Sequence, residues 1–310
     1  MARTKKQHYV PQFLLRKFAS ASGKNPKLWT LDKETKDIRF SSVRDVAHEN
    51  QFYEHVDNDG SRLELEGIMA EIDSMGAGII AKILDDNLLT LSIEDRVRLS
   101  GFVACQMSRT PMIRKDMENL RKMIIHKMGP DICFEGDDRP IGDYGPEDAK
   151  RSSLLYIQDV PELSKILLTK VWTLSEAPKG CNFIIGDNPV TRHNLIDRGP
   201  RGNLGLNNKG IELYMPLSTR LSLHLICPAL AESACQTPDI AEDYIKAIEG
   251  GNPIILKPEN VEFTNSLQVI WAERFVFGRE RADMEMPLDM LRTNSELMSG
   301  PGVRQKPEET

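Results

Sequence analysis

Apolar residues recur at helical spacing in two long stretches of the first half of the chain. Leu65, Ile68, Met69, Ile72, Ile79, Ile80 and Ile83 fit one helix, and Leu99, Phe102, Val103 and Ile113 fit a second. Ser61 with Glu64 three residues on predicts a capping box at the start of the first. Ser92 with Asp95 at the third helical position predicts the start of the second. Gly76 and Gly78 weaken the middle of the first helix, and Pro111 predicts a kink in the second, beside Arg109. Ahead of both, Pro11 suits the first turn of a short helix striped by Phe13, Leu14, Leu15 and Phe18. Residues 28–31 and 37–40 flank a polar turn and predict a hairpin. Residues 43–53, which include His48 and Glu49, read as a solvated loop.

The second half changes period. Residues 129–146 are rich in glycine, proline and acids and predict a linker or long surface loop. Short helices are expected over 147–156 and 161–168. A strand then opens at 170–174 with Trp172 as a core anchor. Residues 220–226 alternate cleanly, as in a strand with one wet face, which places His224 on the polar side with Arg220 and Ser222. Further strands are expected at 212–216 and 274–277, and helices at 238–249 and 258–274. Residues 191–210, heavy in Gly, Asn and Arg, predict a lid, a binding loop or disorder. The fold expected is α+β, with a helix-rich N-terminal half packed on a mainly antiparallel sheet in the C-terminal half. The domain expected is 1–285, helical over about 1–128 and sheet-containing over about 147–285, followed by a polar, disordered tail at 286–310.

The composition narrows the class of molecule. Hydrophobic residues make up 40% and charged residues 28%, as in a globular soluble protein. The formal net charge of −6 gives no global pull towards nucleic acid or an anionic membrane. The five cysteines are widely spaced, with no CxxC pair, which argues against a disulfide framework and a cysteine zinc site. Reduced thiols in the cytoplasm are the simplest account. No stretch approaches the roughly 18 apolar residues that span a bilayer, and the N-terminal stretch lacks the apolar run of a signal peptide.

The candidate chemistry centres on residues 183–190, Phe-Ile-Ile-Gly-Asp-Asn-Pro-Val. A strand running into Gly186 and a proline-restricted Asn188 would present Asp187 and Asn188 at one fixed place. An ordinary turn closing a strand is the alternative. On the second helix, Gln106 and Arg109 share a face with Leu99 and Phe102. A guanidinium there needs either a carboxylate of the protein or an anionic ligand. The N-terminal cluster of Arg3, Lys5, Lys6, Arg16 and Lys17 and the seven basic residues between Arg98 and Lys127, Arg114 among them, read as a solvated face or as a groove for phosphates. Glu66 sits beside the apolar stripe of its helix, as a boundary acid or a functional one. The nucleotide-binding GxGxxG and GxxxxGK[ST] signatures are absent, as are HExxH and GxSxG.

One resemblance joins two of these stretches. His8-Tyr9-Val10-Pro11 followed by Phe13-Leu14-Leu15-Arg16-Lys17-Phe18, with Gly186-Asp187-Asn188-Pro189-Val190 later, resembles the microbial domain-of-unknown-function family numbered four-two-three-eight. That family opens on His-Tyr-Val-Pro and later carries a Ser-Asp-Asn-Pro-Val-like motif. Gly186 stands here where the family usually has serine, so a serine hydroxyl has no role at that position. The resemblance runs from about Gln7 to Arg279 and implies no particular chemistry.

Two readings follow. In one, the protein is a hydrolase of the nuclease or phosphodiesterase type, acting on an anionic small molecule or nucleic acid. His8 is the acid or base, Asp187 and Asn188 orient it, and Arg109 neutralises charge. Gln106, Arg114 and Arg16 hold the substrate, and Asp187 with Glu66 can take a divalent metal. In the other, the protein is a non-catalytic binding protein, and His8, Arg109 and Asp187 form a buried network. His8 within reach of Asp187 in an open pocket favours the first; both sealed favours the second.

Overall fold

Pro11 ends an extended lead-in and starts a single helical turn, as its fixed φ favours. The lead-in is β1 (Lys6–His8) and the turn α1 (Gln12–Leu15). The computed structural model describes residues 6–20, 23–57, 60–196 and 204–301. Arg3 and Lys5 of the N-terminal basic cluster lie outside them. β2 (Lys27–Asp32) and β3 (Ile38–Ser42) form the expected hairpin. β4 (His48–Asn50) then returns to β1 and sets His8 opposite His48. The expected solvated loop is therefore partly a ladder.

A second hairpin, β5 (Glu54–Val56) and β6 (Arg62–Glu64), removes the expected capping box. The Ser61 hydroxyl bonds to Asp57 at 3.2 Å and Glu64 lies within a strand. The first long helix, α2 (Glu66–Asp86), starts after Leu65 with no side-chain cap. α3 (Ile93–Ser108) begins as expected, with the Ser92 hydroxyl accepting the Asp95 N–H at 3.0 Å. Pro111 breaks the helical run and does not merely kink it. Thr110 is extended (φ −101, ψ 156), and Pro111 opens a new helix, α4 (Pro111–Met128), where its missing N–H leaves nothing unpaired. A Cβ on Gly76 would come within 2.5 Å of the Phe102 ring, so the glycine that weakens α2 also lets α2 and α3 approach.

α5 (Pro146–Leu155) and α6 (Val160–Leu168) follow the expected loop, and α6 packs on α3. The remaining strands are β7 (Val171–Glu176), β8 (Ile185–Gly186), β9 (Thr191–Asn194), β10 (Ile211–Pro216), β11 (Leu221–Ile226), β12 (Ile254–Ile255) and β13 (Phe275–Gly278). The remaining helices are α7 (Pro228–Gln236), α8 (Ala241–Gly250), α9 (Pro258–Trp271) and α10 (Glu285–Thr293). The loop expected at 191–210 thus begins as a strand; its residues 197–203 lie outside the described ones.

The architecture is α+β. One sheet has the order β12-β7-β11-β10-β9, antiparallel except for β12 against β7. A second, antiparallel sheet has the order β3-β2-β13-β8. This second sheet crosses the expected division into a helical first half and a sheet-bearing second half, because β2 pairs with β13. One buried cluster includes Tyr9, Phe102, Trp172, Leu223 and Phe277. All six residues of β11 are buried, so its expected wet face is covered. His224 stacks on Tyr214 with ring centroids 4.0 Å apart, and its Nε2 lies 3.4 Å from Glu212.

The tail expected to be disordered from 286 begins instead as α10. A smaller cluster of Leu31, Ile184, Val276, Met284 and Leu291 holds it down. Met284, Leu288 and Leu291 recur at helical spacing, a period too short to stand out among polar neighbours. Residues 302–310 lie outside the described ones. Among the described residues no helix is long and apolar enough to cross a membrane.

Candidate functional site

The Gly-Asp-Asn-Pro segment is stitched in from both sides. β8 pairs with β13 on one side. On the other, side-chain amides of α9 take the place of a neighbouring strand. Asn265 accepts the Ile184 N–H at 3.0 Å and donates to the Asn182 carbonyl at 2.9 Å. Gln268, one turn on, accepts the Gly186 N–H at 2.9 Å and donates to the Pro189 carbonyl at 3.1 Å. Backbone groups that a two-residue strand would leave buried and unpaired are thereby satisfied. Gly186 is required by this approach: a Cβ there would lie 2.8 Å from the Gln268 carbonyl oxygen.

Asp187 follows, 1% exposed. Its carboxylate accepts the backbone N–H groups of Glu273 at 2.7 Å, Arg274 at 2.8 Å and Phe275 at 2.8 Å. Burial pushes the carboxyl up to about 6, against the pull of those three N–H groups and of Lys33. Asn188 is also buried. Its amide nitrogen lies 3.2 Å from the Met112 sulfur and 3.4 Å from the Trp271 carbonyl. Both residues sit at the strand end as expected, and both hold the chain turn that follows α9.

The N-terminal motif is fixed by its backbone. Tyr53 donates its hydroxyl to the His8 carbonyl at 2.9 Å, and Gln106 donates its amide to the Tyr9 carbonyl at 2.9 Å. The Gln106 oxygen in turn accepts from Arg109, at 3.0 Å from Nε and 2.8 Å from Nη2. Arg109 completes its pairing on Asp73 at 2.5 Å, and its side chain is fully buried. A carboxylate of the protein therefore answers the guanidinium. The His8 ring packs 5.2 Å from that of His48. Burial, His48 and Lys6 bring His8 down to about 4, so the imidazole is neutral at physiological pH.

No hydrogen bond or ion pair joins His8 to Asp187 among the described residues. The neighbour of His8 makes the connection. Tyr9 and Asp187 line one cavity of about 500 Å³ together with His48, Glu49, Lys115 and Arg274. Met298 and Ser299, from the segment after α10, close part of its wall. Tyr9 is 4% exposed, and its hydroxyl makes no hydrogen bond among the described residues. His48 Nδ1 is buried and also lacks a partner. Burial, then Asp187 and Glu49, drive the Tyr9 phenol well above its ordinary range.

The other expected residues fall around this core. Arg114 bonds Glu49 at 2.9 Å and lies 4.7 Å over the Phe52 ring, next to the cavity. Arg16 bonds Gln12 at 3.0 Å on the surface. Glu66, raised by burial and by Asp73 and Glu54, opens α2 and shares no bond with Asp187. The described residues hold no group of three or more His, Cys, Asp or Glu side chains that could hold a metal ion. Period and motif spacing do not single out Tyr9, Asp73 or Gln268. Tyr9 lies inside the His-Tyr-Val-Pro motif, beside a histidine that is the more familiar acid or base. Gln268 stands in an apolar helical stripe, which was its one available signal.

The chain matches the family described as protein of unknown function, DUF4238, over residues 6–282, and it belongs to that family. Neither a curated protein nor a solved structure matches it.

Proposed function

We propose that this member of the DUF4238 family is a binding protein for a small polar molecule, held in the cavity between Tyr9 and Asp187. The observation that supports it is the meeting of the two sequence motifs at that cavity, one through Tyr9 and the other through Asp187. A buried tyrosine whose hydroxyl has no partner among the described residues is an anchor for a polar group. The His8 backbone and the Arg109 side chain are bonded into the framework, which favours a structural role for those two.

A catalytic reading draws on a separate observation. Asp187, at about 6, can exchange a proton near neutrality beside Tyr9 and His48. On that reading the protein is a hydrolase of an anionic phosphate ester or nucleic acid. The experiment that separates the two uses the full chain and its Tyr9→Phe and His48→Ala variants. Thermal shift against a panel of small metabolites is expected to find a compound that stabilises the parent chain and not Tyr9→Phe. Incubation with DNA, RNA and nucleotides, with divalent metals or EDTA, is expected to give no turnover. Turnover lost in both variants would replace the binding reading with the hydrolase.

A further inference from the structure

Resting on the binding reading, we infer that the cavity between Tyr9 and Asp187 takes a protonated amine or guanidinium ligand. Its wall carries four carboxylates, Glu34, Glu49, Asp187 and Glu273, against Lys115 and Arg274. Both cations are already matched. Lys115 pairs with Glu273. Arg274 bonds Asp32, with Nη2 to Oδ2 at 2.9 Å, and lies at 3.4 Å from Glu34. Behind the wall, Arg114 answers Glu49, and the buried Lys33 donates to the Val269 carbonyl at 2.8 Å and to that of Ala272.

The cation nearest Glu34 therefore belongs chiefly to Asp32, and Glu34 keeps oxygen capacity open at the rim. Asp187 likewise has carboxylate lone pairs beyond the three that its backbone donors fill. Tyr9, 4% exposed as a residue and with a hydroxyl that has no partner among the described residues, lines the same space. Unfilled acceptors outnumber uncommitted charge of the opposite sign. A ligand rich in N–H donors and carrying positive charge satisfies them, whereas a phosphate would meet four wall carboxylates and only two cations, both already paired.

The test is calorimetric titration of the full chain with putrescine and agmatine, and in parallel with inorganic phosphate and adenosine monophosphate. Tyr9→Phe keeps the ring and removes a hydroxyl that makes no hydrogen bond among the described residues, so the variant is expected to fold normally. Glu34→Gln keeps the size of the exposed rim side chain and removes its charge, and with it the weaker of the two ion pairs of Arg274. We expect an amine to bind, with affinity about tenfold weaker in each variant. Amine binding equal in all three chains would place it elsewhere on the acidic surface and overturn the inference. Phosphate or nucleotide binding weakened by Tyr9→Phe would overturn the charge class while keeping the cavity as a binding site. Absence of amine binding overturns the charge class as well. If the metabolite panel is also without effect, the binding reading fails with it.

Discussion

The buried Asp187 and the half-buried His8 titrate in opposite senses across the same acidic range. Asp187 has its carboxyl raised to about 6 from an ordinary 3.8. The folded state then holds the proton more tightly than the unfolded chain. This contribution to stability is fully present below pH 3.8 and is lost as pH rises through 6. For so buried a group it is on the order of 3 kcal/mol. His8 is lowered to about 4 from 6.5. The unfolded chain binds more protons between those values, so this contribution grows as pH rises from 4 to 6.5. We predict that the stability difference between the parent chain and His8→Gln widens in the parent's favour across that window. Urea unfolding at half-unit steps of pH checks it; a difference that does not change with pH would mean that His8 titrates normally.

At the scale of elements, α9 acts as a surrogate strand for β8. Replacing Gln268 by Leu keeps the bulk and strands the Gly186 N–H and the Pro189 carbonyl. We predict a loss of about 2–4 kcal/mol, read from the shift in urea midpoint; a loss under about 0.5 kcal/mol would mean that those groups find other partners. The same pairing explains what could be read in advance. Strand β13, helix α9 and the strand-to-turn character of residues 183–190 follow from period and turn chemistry, which are local. A side chain bonding to a strand from a helix is a tertiary fact, and a polar residue within an apolar helical stripe is the one local sign of it at Gln268. The misplaced start of α2 has a local cause. Ser61 and Glu64 satisfy a capping pattern, but Arg62-Leu63-Glu64 also alternates as a strand, and pairing with Glu54–Val56 decided between them. Pro111 fitted both a kink and a new start, and the extended Thr110 selected the start.

At the scale of the molecule, the described chain is tied together at both ends of its length. His8 packs on His48 and shares no bond with Asp187 among the described residues, whereas its neighbour Tyr9 lines one cavity with Asp187. Which of two consecutive residues lines a site is set by partners distant in sequence, here His48 for His8 and Asp187 for Tyr9. The segment after β13, expected to be polar and loose, belongs to the buried structure. We predict that Leu291→Ala lowers stability by about 2–5 kcal/mol, measured by thermal or urea unfolding. A neutral substitution there would show that α10 adds little to the cluster with Leu31 and Val276.

The order of strands in the second sheet also bears on how the protein is made. β13 lies between β2 and β8, and those two are not paired with each other. During synthesis both earlier strands leave the ribosome with an open edge facing the gap that only residues 275–278 can fill. Until then each edge can recruit a strand from another nascent chain. Holding the chain on the ribosome before residues 275–278 have emerged from the exit tunnel should therefore raise the share of chains that aggregate or that need a chaperone, whereas a pause after they have emerged should not.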